Sequence, residues 1–121
     1  MTDSTINVIG NKYDGDKPRV DLVPPESVIA SAVVFTYGAN KYADRNWEGG
    51  MRWGRVFAAL MRHAWAFWRG EDNDPESGYP HVYHMHACTA MLVTYWDRKV
   101  GDDDRPEIKP VESKQMELDL Q

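Results

Sequence analysis

Residues 62–87, RHAWAFWRGEDNDPESGYPHVYHMHA, hold all four histidines of the chain together with Glu71, Asp72, Asp74 and Glu76. Carboxylate oxygens suit Mg²⁺ or Mn²⁺, and added imidazole shifts the preference toward Mn²⁺, Fe or Zn²⁺. The same residue types also build a plain helix–loop–helix corner, since Asp74-Pro75-Glu76 is good turn and capping chemistry. A histidine in a helix stripe, such as His63, is often only a satisfied interior residue. From residue types and spacing alone, both readings stand.

Two further stretches carry chemistry. In KPRVDLVPP, Lys17 and Arg19 flank the rigid Pro18 and could clamp a polyphosphate; otherwise they form a solvated arm with an Arg19–Asp21 pair. YGANKYADRNWEGG offers Tyr37, Lys41, Tyr42, Asn46 and Trp47, a set able to stack on and hydrogen-bond a nucleobase, or simply a helix end packed on its neighbours. HExxH, an adjacent His-Asp pair, GxxxxGK[ST] and GxGxxG are all missing from the sequence, which disfavours a zincin, an HD-type hydrolase, a P-loop NTPase and a Rossmann enzyme.

The elements that must position these residues are helical. In 25–43, Pro25 suits a first helical position, Glu26 suits the positive helix end, and Val28, Ala32, Phe35 and Ala39 form a stripe; the β-rich SAVVFTY is the rival reading. In 53–70, Val56, Leu60, His63, Ala64, Phe67 and Trp68 recur at helical spacing and Gly70 supplies a stop. A third helix is predicted over 80–100, closed by Gly101 as a capping glycine. The short connection makes the last two helices antiparallel neighbours. His81 then lies at the level of Glu71, and His81, His84 and Cys88 share a face, while His86 points elsewhere. The expected fold is all-α, a small bundle over 25–101 with a polar arm (1–24) and an acidic, disordered tail (102–121), completed by oligomerisation through an exposed stripe of Trp53, Trp65 and Trp68.

Composition narrows the class. The chain has 121 residues, 42% of them hydrophobic, and a formal charge of −5, enough for one domain. About −4 of that charge belongs to the last 21 residues, which hold seven acids and three bases. The body is therefore near neutral, which argues against binding duplex DNA directly. A lone Cys88 excludes an internal disulfide and a Cys-based zinc site. Without a signal peptide or an 18-residue apolar run, a cytoplasmic, membrane-free protein is expected. The stretch QMELDL, Gln115 to Leu120, resembles peptides that dock in bacterial sliding clamps.

Taken in order, KPRVDL, YGANKYADRNW and RHAWAFWRGEDNDPESGYPHVYH resemble the N-terminal domain of phage-type dATP/dGTP diphosphohydrolases, associated with the MazG-like, all-α nucleotide pyrophosphohydrolases. The resemblance spans residues 12–95. It implies divalent-metal-dependent cleavage, with Mg²⁺ or Mn²⁺, of a purine deoxynucleoside triphosphate to monophosphate and pyrophosphate in a phage-infected host. MazG-type enzymes pair an ExxE with an ExxD motif, whereas this chain has Glu71-x-x-Asp74 and places His81 and His84 where carboxylates are expected. On this reading Glu71, Asp74, Glu76 and His81 hold metal, and His84, Glu71 and His63 serve catalysis. Lys17, Arg19, Lys41 and Arg62 bind phosphate, and Tyr37, Tyr42, Asn46 and Trp47 bind the base. Readings of a different class are a nucleotide-sequestering protein without turnover and a structural helical adaptor.

Overall fold

The computed structural model describes residues 15–107. Three helices carry the fold: α1 (Pro25–Lys41), α2 (Trp53–Trp68) and α3 (His81–Arg98), with short 3-10 turns at Val20–Leu22 and Asn46–Gly49. Among the described residues there is no strand, only two isolated bridges, so the expected all-α class holds. α1 and α2 each pack along α3, which makes α3 the floor under both.

Local chemistry explains each element. Pro25 occupies the first turn of α1 beside Glu26, and Lys41 sits in the last turn, so both charges oppose the helix dipole. α2 ends in a Schellman arrangement: Gly70, at φ 99°, donates to the Phe67 carbonyl, and Glu71 donates to Ala66. The predicted role of Gly101 is corrected. α3 closes instead on Lys99 in the left-handed region, and Gly101 (φ 82°) lets the chain pass close against Met51.

That passage clasps the start of α2. Asp102 donates to the Met51 carbonyl (3.2 Å), Trp53 donates to Asp102 (2.9 Å), and Gly54 donates to the Asp104 carboxylate (2.7 Å). The guanidinium of Arg105 lies over the rings of Trp53 and Trp96. Residues 102–105, assigned to the tail from sequence, therefore cap α2, supplying acceptors to N–H groups that no helix satisfies internally.

The buried core is small: Trp53, Val56, Cys88 and Tyr95, flanked by Trp47, Met51, Leu60, Met91, Leu92 and Val100. Trp53 was expected on an exposed stripe, but it is buried and its Nε1–H donates to the Val100 carbonyl; Trp65 and Trp68 are exposed, Trp68 at 77%. The predicted stripe of α1 is also revised. Val28 and Ala32 face outward, and the contact face of α1 runs through Ser27, Ala30 and Ser31. His86 points away from the face shared by His81 and His84, as expected, and binds the Ser27 and Ser31 hydroxyls (2.9 Å to Ser31), so a polar contact joins α1 to α3. The clamp-like Gln115–Leu120 lies outside the described residues.

Candidate functional site

With α1 and α2 both laid on α3, a cleft of about 650 Å³ opens between them, within the size range of small-molecule sites. Its α1 wall carries Tyr37 and Lys41, the following turn carries Tyr42, Arg45, Asn46 and Trp47, and the α2 wall carries Arg62 and His63. Glu71, Asp74 and Glu76 reach in from the loop, over a floor of His81, His84, Ala87, Cys88 and Met91.

The loop is folded by its own turn chemistry. Ser77 donates its N–H to Asp74 Oδ2 (3.0 Å) and Gly78 donates to the Asp74 carbonyl. Asp74 and His81 donate their N–H groups to Tyr79 and Asp72. Asp74 is thereby turned back toward the helices, where one ligand atom each from His63, Asp74 and His81 lie within 4.8 Å of one another.

The imidazoles form a connected set. His81, 3% exposed, places Nε2 at 2.6 Å from Glu71 Oε1 and Nδ1 at 2.8 Å from His63 Nδ1. The carboxylate only accepts, so His81 carries its proton on Nε2; for a neutral His81, Nδ1 then accepts from His63 Nδ1–H. His63 and His84 stack with ring centroids 4.4 Å apart and planes 6° from parallel. His84 Nε2 meets Ser77 Oγ at 2.7 Å and lies 3.9 Å from Asp74.

Burial sets the electrostatics. It pushes His63 and His84 below the ordinary imidazole range; neighbouring imidazoles add to the effect, while Asp74, and for His84 also Glu76, oppose it. At Asp74 burial pushes upward, but the hydrogen bonds from Ser77 and the nearby imidazoles outweigh it and hold the carboxyl low. The thiol of Cys88 is pushed up to about 11 by burial.

Most of the residues singled out from sequence converge here, and two do not. Glu71, Asp74, His63, His81 and His84 form the cluster. Glu76 instead reaches across the mouth to Lys41 (2.9 Å), its side chain 71% exposed. Tyr37 packs edge-on against Tyr79 and His84. Trp47 stacks on Phe35, and its carbonyl accepts from the Tyr95 hydroxyl. Tyr42 and Asn46 line the same wall, and Arg62 borders the cluster. Lys17 and Arg19 are absent from the lining; Arg19 makes a two-pronged pair with Asp21 (2.8 and 2.9 Å), the solvated-arm alternative. Sequence reasoning missed Ser77 and Arg45. The Asp74-x-x-Ser77 spacing was the available signal for the first; Arg45 sits at φ 57° in the turn and had none.

The fold is an all-α scaffold in which an aromatic and basic cleft closes on a histidine–carboxylate cluster. The chain belongs to the family described as "dATP/dGTP diphosphohydrolase, N-terminal", which matches residues 7–105, as the three motif stretches imply. It is 28% identical to a dATP/dGTP diphosphohydrolase of Salmonella phage PMBT28 over 127 aligned positions, covering 93% of this chain. The chain spans about 43% of that relative's length. No solved structure matches it.

Proposed function

We propose that the cleft binds a purine deoxynucleoside triphosphate and hydrolyses it, with a divalent cation, to the monophosphate and pyrophosphate. One observation carries this reading: a single cleft joins aromatic side chains, arginines and a histidine–carboxylate cluster. The relative's name supports the substrate class.

The residues divide by chemistry. Tyr37 and Tyr42, with Asn46, hold the base through ring faces and amide hydrogen bonds. Trp47, already stacked on Phe35, forms the wall behind it. Arg62 and Arg45 bind the polyphosphate and balance the charge that builds on the leaving pyrophosphate. Lys41 joins them once Glu76 yields it. Water attacks the α-phosphorus as the bond to the β-phosphate oxygen breaks. His84 is kept neutral by burial and is the proton acceptor for that water; Ser77 fixes its ring. Imidazole nitrogens and Asp74 offer donors suited to a divalent ion, with Glu71 hydrogen-bonded behind His81. Bound there, the ion supplies charge for the phosphate oxygens and acidifies water. In a phage-infected cell the reaction would reshape the purine deoxynucleotide pool.

The test is a dNTP panel with Mg²⁺ or Mn²⁺ that resolves pyrophosphate from orthophosphate. Expected are pyrophosphate release from dGTP or dATP, its loss in Glu71→Gln and His84→Gln, and a raised KM in Arg62→Ala. Undiminished turnover in Glu71→Gln, or stoichiometric binding with the nucleotide recovered intact, refutes the proposal.

A further inference from the structure

We infer that His63, His81 and Asp74 are the three protein ligands of a first-row transition-metal dication, Mn²⁺ to Zn²⁺ in kind, with Glu71 standing behind His81 as an orienting carboxylate. This refines the metal side of the proposed reaction and rests on that reading only for its use in catalysis.

Three elements deliver the donors: α2 gives His63, the folded loop gives Asp74, and α3 gives His81. Their ligand atoms lie within 4.8 Å of one another. Two imidazole Nδ1 atoms aimed at each other across 2.8 Å share one proton. Tetrahedral nitrogens at about 2.0–2.1 Å from an ion sit roughly 3.3 Å apart, so a few tenths of an ångström separate the present geometry from a ligated one. Metal-binding histidines typically donate their other N–H to a carboxylate, and His81 Nε2 meets Glu71 Oε1 at 2.6 Å in that arrangement. Ser77 N–H holds Asp74 Oδ2, which leaves Oδ1 to coordinate.

Two further candidate donors are disfavoured. Glu76, a candidate ligand from sequence, reaches to Lys41 at the mouth and lies outside the converging set, and burial pushes the Cys88 thiol up. Two imidazoles with one carboxylate are a poor match for Mg²⁺, which requires oxygen ligands in near-ideal octahedral geometry.

The experiment is Mn²⁺ titration of the chelator-treated full chain, read by continuous-wave and pulsed electron paramagnetic resonance. Expected are one Mn²⁺ per chain, nitrogen modulation from imidazole, and no displacement by a hundredfold excess of Mg²⁺. His63→Gln and His81→Gln should each weaken binding at least about tenfold, Glu71→Gln about 10- to 100-fold, and Glu76→Gln less than about twofold. Nitrogen modulation is read on the unaltered chain, so the site stays testable even if His81→Gln fails to fold. Absent nitrogen modulation, or displacement by an equal concentration of Mg²⁺, overturns the site. Pyrophosphate release with Mg²⁺ but no nitrogen signal refutes this site and leaves the proposed reaction standing. Nitrogen-ligated Mn²⁺ without turnover supports the site and refutes the reaction.

Discussion

One methyl group at Gly101 should unfasten the start of α2. Gly101 sits at φ 82°, where an L side chain costs about 1–2 kcal/mol. Its added Cβ would lie 2.5 Å from the Met51 carbonyl oxygen and 3.1 Å from Trp53 Nε1. Ordinary contact begins near 3.4 Å, so the backbone must move by almost an ångström. The bonds that yield are Asp102 N–H to Met51 and Trp53 N–H to Asp102, each contributing about 1 kcal/mol. Gly101→Ala should therefore cost about 2–4 kcal/mol. For a domain of this size that lowers Tm by about 10–25 °C, measured by circular dichroism with urea melts alongside. Gly38→Ala is the control: the position lies inside α1 with nothing within 4 Å of its added Cβ, and the same change should stabilise by about 0.5–1 kcal/mol. A Gly101→Ala melt within about 2 °C of the unaltered chain would show that the clasp contributes little.

Further outcomes follow from the same geometry. Ser77→Ala deprives His84 Nε2 of its partner and Tyr79 N–H of its acceptor; it should cost about 1–3 kcal/mol in urea unfolding, with Ser77→Thr recovering part. Tyr95→Phe removes the hydroxyl that holds the Trp47 carbonyl. A loss of about 1 kcal/mol should come with weaker nucleotide binding by calorimetry; unchanged stability would mean that the turn is held by the Phe35–Trp47 stack and the Arg98–Glu48 ion pair (2.7 Å) without it. In the metal-free protein, His63 and His84 have folded-state pKa values below the ordinary 6.5, so the unfolded chain takes up protons first on acidification. Their contribution is fully present above about pH 6.5 and is lost as pH falls through the folded values. Urea midpoints flat from pH 8 to 7 and declining below 6.5 are expected; a midpoint rising toward pH 5.5 would contradict the burial of these rings.

Apolar periodicity made α2 and α3 legible, since their stripes and the stop at Gly70 depend only on local spacing. The antiparallel hairpin put His81 beside Glu71, where it is found at 2.6 Å. α1 was legible as a helix but not in its facing, because part of its contact with α3 is a histidine between two serines, which no hydrophobic pattern reveals. Trp53 was misplaced for a related cause: what buries it arrives from Val100 to Arg105, nearly fifty residues later. The meeting of Asp74 with His63 depends on how the loop folds around Ser77, a matter of hydrogen bonds more than spacing. Arg19 turned to the nearest carboxylate, Asp21, a local pairing that sequence presents as one of two alternatives.

The polar seam between His86 and the serines of α1 gives the cleft unequal walls. The α2 side is fastened at its start by the clasp and along its length by Trp53, Val56 and Tyr95. The α1 side rests on Ala30, on the two hydroxyls that meet His86, and on the rings of Phe35 and Tyr37 against Trp47 and His84. Amide protons of α1 should therefore exchange with deuterium sooner than those of α3. A ligand wider than the resting cleft would be admitted more readily by displacement of α1 than of α2.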